Sequence, residues 1–318
     1  MIGYIVRRTI QAVTVLILVT LVVFLAMRML PGDPLTIYIV QHDIDKITPE
    51  FQAQLMHKFG LDKSLPMQYL DWMSGLFRAD FGRSIQYNES VTTLMAERLP
   101  VTLYLGLLSF AIASVLGMLA GLLAAIRRGR MLDTIVTSLA NLGICTPSFW
   151  LGILMIYGIG LKLGWLPIQG YTSPFDNFWL SIRQSVMPVF ILSAWGIAFV
   201  ARQARSSMLE VTRQDYIRTA WSKGLRERVV VMRHMLKNGL IPVVAVMGVR
   251  FSHTIGGMVV IENVFNIPGM GRLMVAAVFG QDYQVVQAGI LIMAIGVVLT
   301  NLVVDISYGW IDPRVRYD

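Results

Sequence analysis

An arginine inside an apolar run is the residue of this sequence that most demands a chemical explanation. Arg250 is thirteenth of the 24 residues from Asn238 to Ile261, a run with no other Lys, Arg, Asp or Glu. At the middle of a bilayer an arginine costs about 2.5 to 3.5 kcal/mol even on insertion scales, so it must turn away from lipid. His253, three residues on, falls on the same face of a helix. Two readings stay open: a cationic patch that meets an anionic group of a transported molecule, or a charge paired within the protein or with a partner chain. The other reactive side chains assemble no catalytic set. The single cysteine, Cys145, excludes an intrachain disulfide and a cysteine-based metal site. His42, His57, His234 and His253 are dispersed, without an H-E-x-x-H pattern or an i, i+4 pair, so no metal site is expected. Cys145, Ser148 and His253 make no recognisable nucleophile and base. No G-x-x-x-x-G-K-[ST] phosphate loop occurs, so a nucleotide site of that kind is not expected on this chain.

The elements that must hold Arg250 follow from composition. Of 318 residues, 55% are hydrophobic and 14% charged, and mean hydropathy is +0.63. A soluble domain carries about 25% charged residues, and a disordered chain is poor in apolar ones, so both classes are excluded. Six runs are nearly free of charge: Thr9 to Met27, Leu99 to Ile126, Thr134 to Leu161, Gln184 to Ala201, Asn238 to Ile261, and Tyr283 to Val304. A bilayer core of about 30 Å needs about 20 residues at 1.5 Å each, and backbone polar groups must be satisfied within the span, so six transmembrane helices are predicted. Thr146-Pro147-Ser148 in the third run predicts a kink, because proline removes a helical hydrogen bond. Gly117-x-x-x-Gly121 in the second reads as a close-packing face.

An even number of spans puts both termini on one side. The segments of that side hold 16 Lys and Arg, whereas the two short loops opposite hold 3. Positive residues are retained in the cytoplasm, so both termini are predicted to be cytoplasmic. The same bias accounts for the net charge of +8 without nucleic acid.

Two connections are longer than a bare bundle needs. The outer one, Arg28 to Arg98, carries Phe51 to Phe59, Met67 to Phe77 and Asp80-Phe81-Gly82, which suggests short amphipathic helices on the outer face. The inner one, Arg202 to Lys237, contains a predicted two-turn helix: Asp215 as N-cap, Tyr216 to Lys223 as body, Gly224 as stop. A second helix is expected from about Arg226 towards Asn238. The chain divides accordingly into 1–98, first helix plus outer loop; 99–308, five spans plus the 202–237 loop; and 309–318, a short tail.

At the inner loop, Asp215-Tyr216-Ile217-Arg218-Thr219-Ala220, Lys223-Gly224-Leu225 and His234 to Pro242 resemble the "EAA" loop of ABC importer permeases, closest to the peptide and nickel branch. The rest is similar to that branch's "B"-type subunit: Tyr4 to Arg8, Pro31-Gly32-Asp33-Pro34, Gly60-Leu61-Asp62, Gln68-Tyr69, Trp72, Asp80-Phe81-Gly82, Gly256-Gly257, Glu262, Pro268-Gly269, Gly271-Arg272 and Asp312-Pro313-Arg314. It departs from the general motif in having Arg218 at a usually acidic position, Thr219 for an alanine and Lys237 for a proline. The resemblance implies an all-α type I importer fold of six transmembrane helices and a non-enzymatic transport subunit of the bacterial or archaeal inner membrane. It implies as partners a second homologous permease, an extracytoplasmic solute-binding protein, and two ATPases that hold the ATP and Mg. Asp215, Tyr216, Arg218, Thr219, Ala220, Lys223 and Gly224 would couple the chain to an ATPase. Di- or oligopeptides are the expected cargo, with nickel or glutathione as alternatives within the family, and a secondary transporter or channel as the alternative class.

Overall fold

The computed structural model describes residues 2–29, 49–58 and 61–311. Pro31 to Pro34, His42, Gly60 and Asp312 to Arg314 lie outside them. The described helices are α1 (Ile2–Met29), α2 (Pro49–Lys58), α3 (Leu65–Phe77), α4 (Val91–Ile126), α5 (Met131–Cys145) and α6 (Ser148–Met155). There follow α7 (Phe178–Thr212), α8 (Asp215–Ser222), α9 (Glu227–Val229), α10 (Leu236–Gly239), α11 (Ile241–Val264), α12 (Met270–Phe279) and α13 (Tyr283–Ile311). Two π-helical stretches, Ile156–Lys162 and Val230–Met235, extend α6 and join α9 to α10.

All six apolar runs are helical over nearly their whole length. Among the described residues, α1, α4, α7 and α13 are each long and apolar enough to cross a bilayer, and α5 and α6 qualify as a broken pair. The run around Arg250 becomes α11, of 24 residues. The expected kink in the third run is a 100° break. Thr146 and Pro147 both take extended backbone, ψ 120° and 131°, because a proline ring pushes the preceding residue out of the helical region and donates no N–H. Two helices outrun their apolar stretches: α4 starts at Val91, and α7 continues past Ala201 to Thr212. The inner loop is therefore mostly helix, with Arg213 and Gln214 alone between α7 and α8.

The chain folds as two compact units. One is built mainly from Val6–Val101 and Pro268–Val298. Its core gathers Met27 of α1, Val91, Leu94 and Met95 of α4, Met270 and Leu273 of α12, and Val285 and Ala288 of α13. The outer segment is pinned to α1: Phe24 meets Tyr69 and Trp72 at centroid distances of 5.3 and 6.4 Å, and Arg28 donates two hydrogen bonds to Gln68 Oε1. Buried Asp282 accepts from the Ser84 hydroxyl and the Gln86 amide and caps α13 through Val285 N. Positive φ at Gly82, +83°, lets the chain turn into that loop.

The other unit is mainly Thr102–Ile267. Its helices approach closely where residues are small. A Cβ on Gly117 would lie 2.7 Å from Val200 Cβ, and one on Gly121 would run into Ala201 O and Ala204 Cβ, so the glycines of α4 seat α7. Thr102 donates to the fully buried Glu262 at 2.6 Å, tying α4 to α11.

Candidate functional site

Two surfaces of the Thr102–Ile267 unit have the form of functional sites. The first is α8. Gln214, extended at φ −74° and ψ 147°, is the N-cap and makes no side-chain cap. Asp215 is thus the first helical residue and not the cap that its type suggests; its carboxylate is 95% exposed and pairs with Arg218 at 3.6 Å. There it still complements the positive end of the helix dipole. Lys223 closes the helix by donating its N–H to Thr219 O, and Gly224 follows at φ +71°, the left-handed stop that a glycine adopts without strain.

Spacing decides which face of α8 is bound. Ile217 and Ala220, three apart, are buried against Ala125, Met208, Val230, Val231 and Met235. Asp215, Arg218, Thr219 and Ser222 are exposed, flanked by Tyr216 and Trp221. Asn238 Nδ2 donates to the Tyr216 hydroxyl at 3.0 Å, fastening the helix to the segment that leads into α11. The expected second helix is present, but its middle, Val230–Met235, is π-helical. The result is a rod of 8 residues, about 12 Å long, held by one face and offering a polar and aromatic face outward.

The second surface is a cavity of about 650 Å³. It is bordered by α4, by both sides of the Thr146-Pro147 break, by α7 and by α11. From α11 it receives Arg250, His253, Thr254 and Gly257, the i, i+3, i+4, i+7 stripe of one helix face. Arg250 and His253 are therefore brought together, as their spacing predicted. None of the lining residues is acidic. The Arg250 guanidinium carbon lies 3.1 Å from the centroid of the Phe199 ring and 4.6 Å from that of Trp195, and Trp195 stands 6.3 Å from His253. Stacking on two aromatic faces partly compensates a desolvated cation by about 0.5 to 2 kcal/mol each.

Sequence reasoning missed these aromatic partners. Trp195 and Phe199 are four apart on α7, one helix face, and that spacing was the available signal; nothing in it says that α7 faces α11. It missed also the clamp between α5 and α7, where Arg205 Nε and Nη2 donate to the two carboxylate oxygens of Asp133 at 2.6 and 2.9 Å. Asp133 is buried there and accepts in addition from Gly129 N.

The sequence profile of the binding-protein-dependent transport system inner membrane component matches residues 117–317, and that of its N-terminal portion matches residues 1–106. The chain is 43% identical to a putative peptide transport system permease protein of Brucella abortus over the full length of both. It is 36% identical to the di/tripeptide transport system permease protein of Pseudomonas aeruginosa, covering 100% of this chain and 99% of that one. With the oligopeptide transport system permease protein of Bacillus subtilis it shares 37% identity over 100% of each. Among solved structures, an inward-facing methionine ABC transporter matches with TM-score 0.57 and 19% identity, over 69% of this chain and 96% of that one. That likeness is one of fold.

Proposed function

The chain belongs to the family of binding-protein-dependent transport system inner membrane components, and on that premise we propose that it forms half of the membrane pathway of an ATP-driven importer of di- or oligopeptides. It is a multi-pass subunit of the inner membrane. Its full-length relatives are named as peptide transport permeases, which supports the choice of cargo. The assembly we infer contains a second homologous permease, two ATPase subunits carrying ATP and Mg, and an extracytoplasmic solute-binding protein. Both termini face the cytoplasm in this reading, as the lysine and arginine bias requires.

The observation that carries the mechanism is α8: a short rod whose Ile217 and Ala220 are bedded in a core that includes Met208 of α7 and Val230. Its outer face, with Asp215, Tyr216, Arg218, Thr219, Lys223 and Gly224, enters a groove of an ATPase. When the ATPases close, the rod moves, and its buried face passes that motion to α7 and, through the Tyr216 to Asn238 bond, towards α11. Rigid-body rocking of packed helices then alternates access to the cavity. Arg250 and His253 lie on the path.

The test is reconstitution. With its partner permease, ATPases and binding protein in proteoliposomes, the chain should support ATP-dependent uptake of radiolabelled di- and tripeptides. Uptake of nickel or glutathione in place of peptides would reassign the cargo. Gradient-driven uptake by the purified chain alone, without any ATPase, would overturn the importer reading.

A further inference from the structure

We infer that the cavity on α11 recognises its cargo by a free carboxylate, with Arg250 as the group that binds it, and that it offers no seat to a cation. The inference rests on the transport reading above and goes beyond it, since it states which end of a peptide the membrane subunit reads. Three observations carry it. The guanidinium carbon sits over the rings of Phe199 and Trp195. Of the five N–H donors of a guanidinium, those not turned to the rings remain in the fork that fits a carboxylate. Among the described residues no carboxylate reaches Arg250 within 4 Å. A cation partnered by rings and by no counter-charge gains most from an anionic ligand.

The rest of the lining agrees in sign. His253 is a donor when protonated and a donor or acceptor when neutral. Ser109, Ser114, Ser148 and Thr254 supply hydroxyls, and no Asp or Glu borders the space. A cation that brings no carboxylate of its own, such as a bare divalent metal ion, would enter a site with one fixed positive charge and no negative one. The volume of about 650 Å³ falls within the range of about 300 to 1,000 Å³ for small-ligand sites, enough for a short peptide. Its carboxyl end would lie at Arg250 and its side chains along the apolar wall formed by Phe110, Leu139, Leu142 and Ile191.

Cys145, which lines the same cavity and is the only cysteine of the chain, is a built-in reporter. The assembled transporter is treated with a small thiol reagent in the presence of a dipeptide or of its C-terminal amide, and modification at Cys145 is read by mass spectrometry. The free acid should protect Cys145 at roughly tenfold to hundredfold lower concentration than the amide, the worth of one charge-assisted contact. Arg250→Gln should abolish that difference, and Arg250→Lys should keep part of it. A negatively charged thiol reagent should also outpace a positively charged one in the native protein and lose that advantage in Arg250→Gln. Equal protection by acid and amide, no protection by either, or a preference that survives Arg250→Gln would each overturn the inference. Failure of the transport reading would be seen separately, as absence of ATP-driven uptake of every peptide while the Cys145 protection pattern persists.

Discussion

Asp133 and Arg205 form a bidentate pair between α5 and α7. The carboxylate is buried, with 8% of its side chain exposed, and the arginine is 30% exposed. Removing Arg205 leaves the carboxylate with the Gly129 amide and the Thr137 hydroxyl but no counter-charge, at a cost of up to about 3 kcal/mol, the low end for a buried pair, whereas replacing both partners by apolar side chains of similar volume is often neutral. Arg205→Ala should therefore lower the thermal unfolding temperature of the detergent-solubilised protein clearly. Asp133→Leu combined with Arg205→Met should recover most of the loss, and a double variant less stable than either single one would refute the pair as the cause. The sequence placed Asp133 next to an apolar run but gave no hint of its partner, 72 positions away, because a salt bridge between α5 and α7 is a property of their packing. Arg250 was legible for the opposite reason: its anomaly is local, a cation in an apolar run, and needs no knowledge of neighbours to be noticed.

At the scale of elements, α8 was legible almost to the residue. Its start, its polar face and the glycine that ends it depend on spacing within one short segment. The N-cap was misassigned by one position because Asp is favoured both at the cap and in the first turn, and only the backbone angles distinguish the two. Ala220→Pro deletes a helical hydrogen bond and places a ring against the preceding turn, a cost of about 3 kcal/mol, more than a helix of 8 residues sustains. We expect normal membrane insertion together with ATP hydrolysis that no longer drives uptake in the reconstituted complex; full coupling in that variant would remove α8 from the mechanism. The glycines of α4 give a second prediction. Gly121→Val must displace α7, because its side chain would collide with Ala201 O and Ala204, and overpacking of this kind costs about 1 to 3 kcal/mol. Gly256→Ala, with nothing within 4 Å of the added carbon, is the control for free space and should not lower the unfolding temperature, because alanine suits a helix interior better than glycine.

For the whole molecule, orientation is the property open to direct measurement. With Cys145 replaced by serine, a cysteine at Ser222 should react with an impermeant maleimide only when the cytoplasmic side is accessible, and one at Glu89 only from the opposite side. Labelling of both from one side would reverse the charge-bias argument. The sequence by itself determined the class, the apolar runs, the sidedness expected of them and the short helix α8 with its polar outer face. Each of those follows from hydropathy, charge bias or helix-end preference along a single segment, which are local quantities. Only the tertiary structure decided that Pro268–Val298 packs with Val6–Val101, that the Thr146-Pro147 kink is a 100° break at a cavity wall, and that Arg250 rests on Phe199 and Trp195. These are pairings between segments far apart in sequence, selected by which small and aromatic side chains fit across helix surfaces, and no one segment carries that information.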